Sequence, residues 1–234
     1  MSAPEAVART KSPLVAVAEL VAFALLAVAV GALLIALGFG EAHGQERPKK
    51  KRTRELVVRG QAFPDTIAFV IDASGSMAHD RKYGVAIAEA MAIASQAGDE
   101  ARVRFFAFSA TCDPEPQGWI LLPDAEALML AKTWLEMHGA EGTTDMVGAM
   151  GLVLAMPVHP LGVVIISDEM PDTTPLTTTA EIHRMNKARE SPAVIGCIGV
   201  SPPDLIDGEF PLGVLIAKPH GGAYIRNTVR KPAQ

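Results

Sequence analysis

Downstream of Val57 the apolar positions alternate between two rhythms. Short, nearly continuous runs rich in β-branched and aromatic residues, at Thr66 to Ile71, Arg102 to Phe108, Val163 to Ile166 and Ala193 to Val200, have the length and composition of strands. The third is too apolar for a half-exposed strand and is predicted to be central in its sheet. Between these runs lie longer segments with apolar residues at helical spacing. Lys82 to Gln96 predicts a helix whose apolar stripe is Val85, Ala88, Met91, Ala92 and Ser95; Asp124 to His138 predicts one capped by Asp124; Thr144 to Met156 and Thr178 to Glu190 predict two more. Trp119 to Leu122, bounded by Gly118 and prolines, reads as a short edge strand. Leu212 to Ala217 reads as a last short helix, after which Gly221 and Gly222 turn the chain into a final strand at Ala223 to Arg226. Alternating strands and helices predict an α/β fold: a doubly wound, mostly parallel sheet with helices on both faces. About 170 residues suffice for one core that needs no disulfide or metal staple.

The N-terminal part of the chain breaks this pattern. Leu20 to Phe39 carries no charge, with Glu19 at its edge; as a helix it spans about 30 Å, the thickness of a bilayer's hydrocarbon core. The chain is therefore divided into an N-terminal tail (1–13), a transmembrane helix (14–39), a basic linker (40–56) and a globular domain (57–234). A cleavable signal peptide is the competing reading, but its apolar core usually runs to about 7–15 residues, and Gly38 to Gly44 offers only an imperfect cleavage site. Arg9 and Lys11 precede the span, whereas Arg47, Lys49, Lys50, Lys51, Arg52 and Arg54 follow it. That bias predicts a single-pass membrane protein with its C-terminal domain in the cytoplasm. Pro48 to Arg52 has the composition of a nuclear-import tract, yet beside a span it reads as a charged flank facing anionic lipid. The 234-residue chain carries a net charge of −5. No nucleic acid is expected as a partner, and the oligomeric state is left open.

The candidate chemistry sits where strands end. The run Ile71-Asp-Ala-Ser-Gly-Ser-Met77 sets one carboxylate, Asp72, and two hydroxyls, Ser74 and Ser76, on a tight turn after the first strand. Hard oxygen donors at the carboxyl end of a strand suit a divalent cation. The same residues are also good turn formers, with Gly75 able to take a positive φ. Two further segments favour the metal. Gly142-Thr-Thr-Asp145 puts a hydroxyl and a carboxylate at a helix start, and Leu161 to Asp168 is a β-branched run that delivers Asp168 at its end. Asp145 reads as a helix-start charge favoured by the macrodipole rather than as a ligand. Thr143 and Thr144 are adjacent hydroxyls, and the turn can present either.

In order and spacing, Asp72, Ser74, Ser76, Thr144 and Asp168 resemble the metal-ion-dependent adhesion site of the von Willebrand factor type A family. The resemblance implies a Rossmann-like fold in which the first strand and the strand ending at Asp168 are neighbours at the switch point of the sheet. It implies that Ser74, Ser76 and Thr144 bind the ion directly while Asp72 and Asp168 act largely through water. Mg2+ is the expected ion, and Mn2+ or Ca2+ fits the same oxygens. A protein partner supplying an acidic residue would complete the shell. Relatives of this fold also act as regulatory or assembly subunits of ATPase complexes inside the cell, an alternative that a cytoplasmic domain favours; the family's frequent display outside the cell favours an extracytoplasmic one. In the family's adhesion receptors a C-terminal helix moves on ligand binding. Only Asn227 to Gln234 follow the last predicted strand, which argues against switching of that kind.

Catalysis is the weaker expectation, and the chain is predicted not to be an enzyme. Asp72 after a strand is similar to the nucleophile of aspartate-dependent phosphatases, but the second acid such hydrolases carry two residues later is Ser74 here. No Gly-x-Ser-x-Gly elbow surrounds Ser74 and no Walker-type loop is present. The six histidines are scattered without zinc spacing, and His79, the nearest to the predicted site, is not expected to be a ligand. Cys112, in a loop, and Cys197, in a strand, are predicted free thiols, kept on opposite sides of the sheet by the family's strand order.

Overall fold

The computed structural model describes residues 56–58, 61–202 and 211–227. The predicted tail, transmembrane helix and, but for Leu56, the linker lie outside the described residues, as does everything after Asn227. Among the described residues no helix is long and apolar enough to cross a membrane.

In chain order the elements are β1 (Leu56–Val58), β2 (Gln61–Phe63), β3 (Thr66–Asp72), α1 (Lys82–Gln96), β4 (Arg102–Phe108), β5 (Cys112–Pro114), β6 (Ile120–Leu121), α2 (Ala125–His138), α3 (Met146–Leu154), β7 (Gly162–Ser167), α4 (Pro175–Lys187), β8 (Val194–Val200), α5 (Leu212–Ala217) and β9 (Gly221–Asn227). A seven-stranded sheet runs in the order β5-β4-β3-β7-β8-β9, with β6 also paired to β4. β4, β3, β7, β8 and β9 are parallel neighbours, and only the short edge pieces β5 and β6 run antiparallel. Strand order reverses at β3, which has β4 on one side and β7 on the other. A doubly wound sheet opens its ligand crevice at that point, outside the strands' carboxyl ends.

The period of two along each strand sorts side chains into two cores. Ile67, Phe69 and Ile71 of β3 join Val103, Phe105 and Ala107 of β4 in a layer closed by α1 and α2. Ala68 and Val70 join Phe106, Phe108, Val163, Ile165, Ile195 and Cys197 in a layer closed by α3, α4 and α5. Both faces of β3 and β7 are buried, so each reads as an unbroken apolar run. Phe69 and Phe105 stack with ring centroids 5.2 Å apart.

Three sequence readings need correction. The stripe Val85, Ala88, Met91, Ala92 and Ser95 is not the inward face of α1; Tyr83, Ala86, Ile87, Ala90, Ile93 and Ala94 are buried instead. The helix is so rich in alanine that its apolar residues surround it, and periodicity cannot pick the side. Leu56–Val58 and Gln61–Phe63 pair antiparallel as β1 and β2, at the start of the predicted globular domain, and Phe63 lies over β7 and β8. A Cβ on Gly196 would stand 2.6 Å from Phe63 Cζ, and one on Gly162 3.0 Å from Phe63 Cδ1, so these glycines make room for the ring. Cys112 belongs to edge strand β5, not to a loop; β4, β3 and β7 separate it from Cys197, and both thiols are free. Helix α4 starts at Pro175, three residues early, because Thr174 caps it by accepting from Thr177 N–H.

Candidate metal centre

β3 and β7 end side by side, with Ile71 of the first opposite Ile166 of the second. Asp72 and Asp168 leave these strands at the switch point, and both are fully buried. Ser74 and Thr144 are also buried, and Ser76 is half-buried. Thr143, the adjacent hydroxyl, is exposed.

The carboxylates are fixed by a bonded network. Asp72 Oδ1 accepts from the Ser74 N–H at 2.9 Å, and its Oδ2 accepts from Ser167 Oγ at 2.6 Å. Ser74 Oγ and Ser76 Oγ lie 3.1 Å apart, and Ser76 Oγ donates to Asp168 Oδ1 at 3.2 Å. Asp168 Oδ2 accepts from Lys82 Nζ at 2.9 Å. Burial pushes the Asp72 carboxyl above the ordinary carboxylate range; hydrogen bonds from Ser167 and Ser74 pull it back, and the neighbouring Asp168 charge adds to the rise.

Backbone bonds bring the third segment to the same place. Gly75 N–H donates to Gly142 O at 2.9 Å and Glu141 N–H to Ala73 O at 2.8 Å, which ties the loop before α3 to the turn after β3. The approach needs a small residue at 75, since a Cβ there would stand 3.3 Å from Gly142 O. Asp172 N–H donates to Thr144 O at 3.3 Å, linking that loop to the segment after β7. Asp145 caps α3 by accepting from Gly148 N–H at 2.8 Å, so its carboxylate is engaged by the helix.

Thus Asp72, Ser74, Ser76 and Asp168 are brought into one hydrogen-bonded cluster, and Thr144 is held buried on a loop bonded to it. The donor set is two carboxylates and three hydroxyls, all hard oxygen, which fits a hard divalent ion in chemical type. Among the described residues no group of three or more histidine, cysteine, aspartate or glutamate side chains is placed to hold a metal ion, so the hydroxyls are needed to complete the donor set. Ser167 and Lys82 join the cluster without having been singled out by sequence. Lys82 could have been suspected from its position, a cation at a helix start, where the macrodipole disfavours it.

A doubly wound sheet with carboxylates and hydroxyls gathered at its switch point is the architecture of the von Willebrand factor type A fold, and that is the fold of this chain. It is similar to a von Willebrand factor type A protein from Catenulispora acidiphila, at 19% identity over 73% of this chain and 40% of that one, with a TM-score of 0.56. It is similar also to the conserved hypothetical protein BatB from Bacteroides thetaiotaomicron, at 14% identity over 70% of this chain and 90% of that one, TM-score 0.51. A third similar structure is proximal thread matrix protein 1 from the mussel byssus with a zinc-occupied metal-ion-dependent adhesion motif, at 15% identity over 70% of this chain and 41% of that one, TM-score 0.50. The chain thus spans less than half the length of the Catenulispora and mussel proteins. No protein-family model and no curated protein matches the chain.

Proposed function

We propose that this chain binds a protein partner through a divalent cation held by Asp72, Ser74, Ser76, Thr144 and Asp168. The observation that carries this reading is the convergence of two fully buried carboxylates and their hydroxyl neighbours at the switch point. Burying two acids together is unfavourable unless positive charge joins them; Lys82 balances one of the two, and the oxygens present are those that Mg2+, Mn2+ or Ca2+ prefers. The zinc-occupied motif of the mussel protein supports the same reading. When bound, the ion supplies a Lewis-acidic centre for a carboxylate from the partner. The chain's own residues position it: Ser167 and the Ser74 N–H hold Asp72 in orientation, and the Gly75–Gly142 and Glu141–Ala73 bonds hold the Thr144 loop against the turn. Binding rather than catalysis is proposed, because Ser74 stands where a phosphatase of this kind would need its second acid. We place the domain on a membrane through the apolar segment 14–39.

The deciding experiment is a thermal-shift titration of the purified full-length chain with Mg2+ or Mn2+ after chelator treatment. At a hundred times Kd the ion stabilises by about 2.7 kcal/mol. Asp72→Ala should remove the shift, and equal shifts in wild type and variant would sink the assignment.

A further inference from the structure

Lys82 is a charge in the cluster for which the oxygen ligands give no reason. It opens α1, where the helix dipole disfavours a cation and where no acidic residue of the first turn offsets it. The chain reaches it through Asp80 at φ 53° and Arg81 at φ 59°, two consecutive non-glycine residues in the left-handed region. That backbone is costly and persists only where surrounding structure demands it. Its result is that the ammonium of Lys82, whose side chain is 14% exposed, donates to Oδ2 of fully buried Asp168 at 2.9 Å. Ser76 takes the other oxygen of the same carboxylate. Lys82 therefore engages one of the four carboxylate oxygens in the cluster and sets a fixed positive charge against it.

Resting on the divalent-cation reading, we propose that Lys82 sets the charge balance of this site, weakening cation binding and strengthening capture of an anionic ligand. Asp72 and Asp168 contribute two negative charges and Lys82 one positive. With a divalent ion present, the cluster carries one surplus positive charge; without the ammonium it would be neutral. A neutral loaded site has little electrostatic reason to recruit a carboxylate, whereas a positive one in a water-poor cleft attracts it. Lys82 is on this account a specificity-determining residue, and the ligand class it selects is a carboxylate.

The test compares full-length wild type, Lys82→Met and Lys82→Arg. Calorimetric titration with Mg2+ alone should give K82M a Kd lower by about tenfold or more, since the like charge is gone. In EDTA, K82M should melt below wild type, because Asp168 keeps its burial and loses its counter-charge. Acetate binding to the Mn2+ form, read by water-proton relaxation, should weaken in K82M, and K82R should follow wild type in all three. A Mg2+ Kd in K82M equal to or above wild type, with native far-UV circular dichroism, overturns the proposal; so does acetate binding that K82M leaves unchanged. Lys82→Gln replaces K82M should the latter not fold. If wild type binds neither Mg2+ nor Mn2+, the divalent-cation reading itself fails, a result distinct from tight binding that Lys82 does not tune.

Discussion

Asn186 sits fully buried on α4 and joins three pieces of chain through one amide: Oδ1 accepts from Ala193 N–H at 2.7 Å, and Nδ2 donates to Ala193 O and to His220 Nδ1, each at 2.9 Å. His220 Nδ1 must be unprotonated to accept that bond. Burial lowers the pKa of His220, and His183, whose ring centroid is 5.2 Å away, lowers it further. The folded imidazole thus takes a proton only below the ordinary value of 6.5. The unfolded chain binds that proton first as pH falls, so the stability contributed by neutral His220 is complete above the unfolded pKa and is lost as pH drops through the folded one. Urea midpoints measured at about pH 7.5 and about pH 5.5 should fall at the lower pH, and His220→Gln should shrink that fall. None of this is legible in sequence, because Asn186 and His220 lie 34 positions apart. The turn Asp72, Ser74 and Ser76 is legible because its chemistry is local. Ser167 and Lys82 escape for the opposite reason: their bonds to Asp72 and Asp168 cross 95 and 86 positions. Burial is what separates Thr144 from Thr143, and burial is a property of the folded molecule.

Among the elements, the long apolar runs are legible to within a residue or two: β3, β4, β7 and β8 stand where their β-branched and aromatic residues predict. The three-residue strands are not, although the edge strand read at Trp119 to Leu122 and the helix read at Leu212 to Ala217 are both present. β1 and β5 have three residues each, and Cys112-Asp113-Pro114 has no alternation to betray a strand; it is one because it lies along the free edge of β4. The side of α1 is the other failure, and it is open to direct test. Ala90 is fully buried in the layer beneath β3, whereas Ala88 is exposed. Ala90→Leu should overpack that layer and cost about 1–3 kcal/mol. Ala88→Leu should change stability by no more than about 0.5 kcal/mol. Chemical denaturation of the two variants decides between the faces, and a larger cost at Ala88 than at Ala90 would return the helix to the stripe read from sequence.

For the molecule as a whole, strand alternation foretells the class of sheet, and the motif resemblance foretells which strands meet at the switch point. The membrane anchor rests on the charge-free segment alone. If it holds, the full-length chain should stay with membranes through alkaline carbonate extraction and leave them only with detergent; release by carbonate would sink the anchor. The parallel pairing of β3 with β7 has a consequence in time. During synthesis the turn bearing Asp72 leaves the ribosome long before Ser167 and Asp168 exist, and β4 is available to pair with β3 first. Until β7 docks, Asp72 has neither its Ser167 bond nor its companion carboxylate, so the cluster stabilises no intermediate that lacks β7. Contacts that form after the folding barrier act mainly on the rate at which a finished domain opens, and hardly on the rate at which it first assembles. The cluster is thus a latch that closes only as β7 joins β3, and not before.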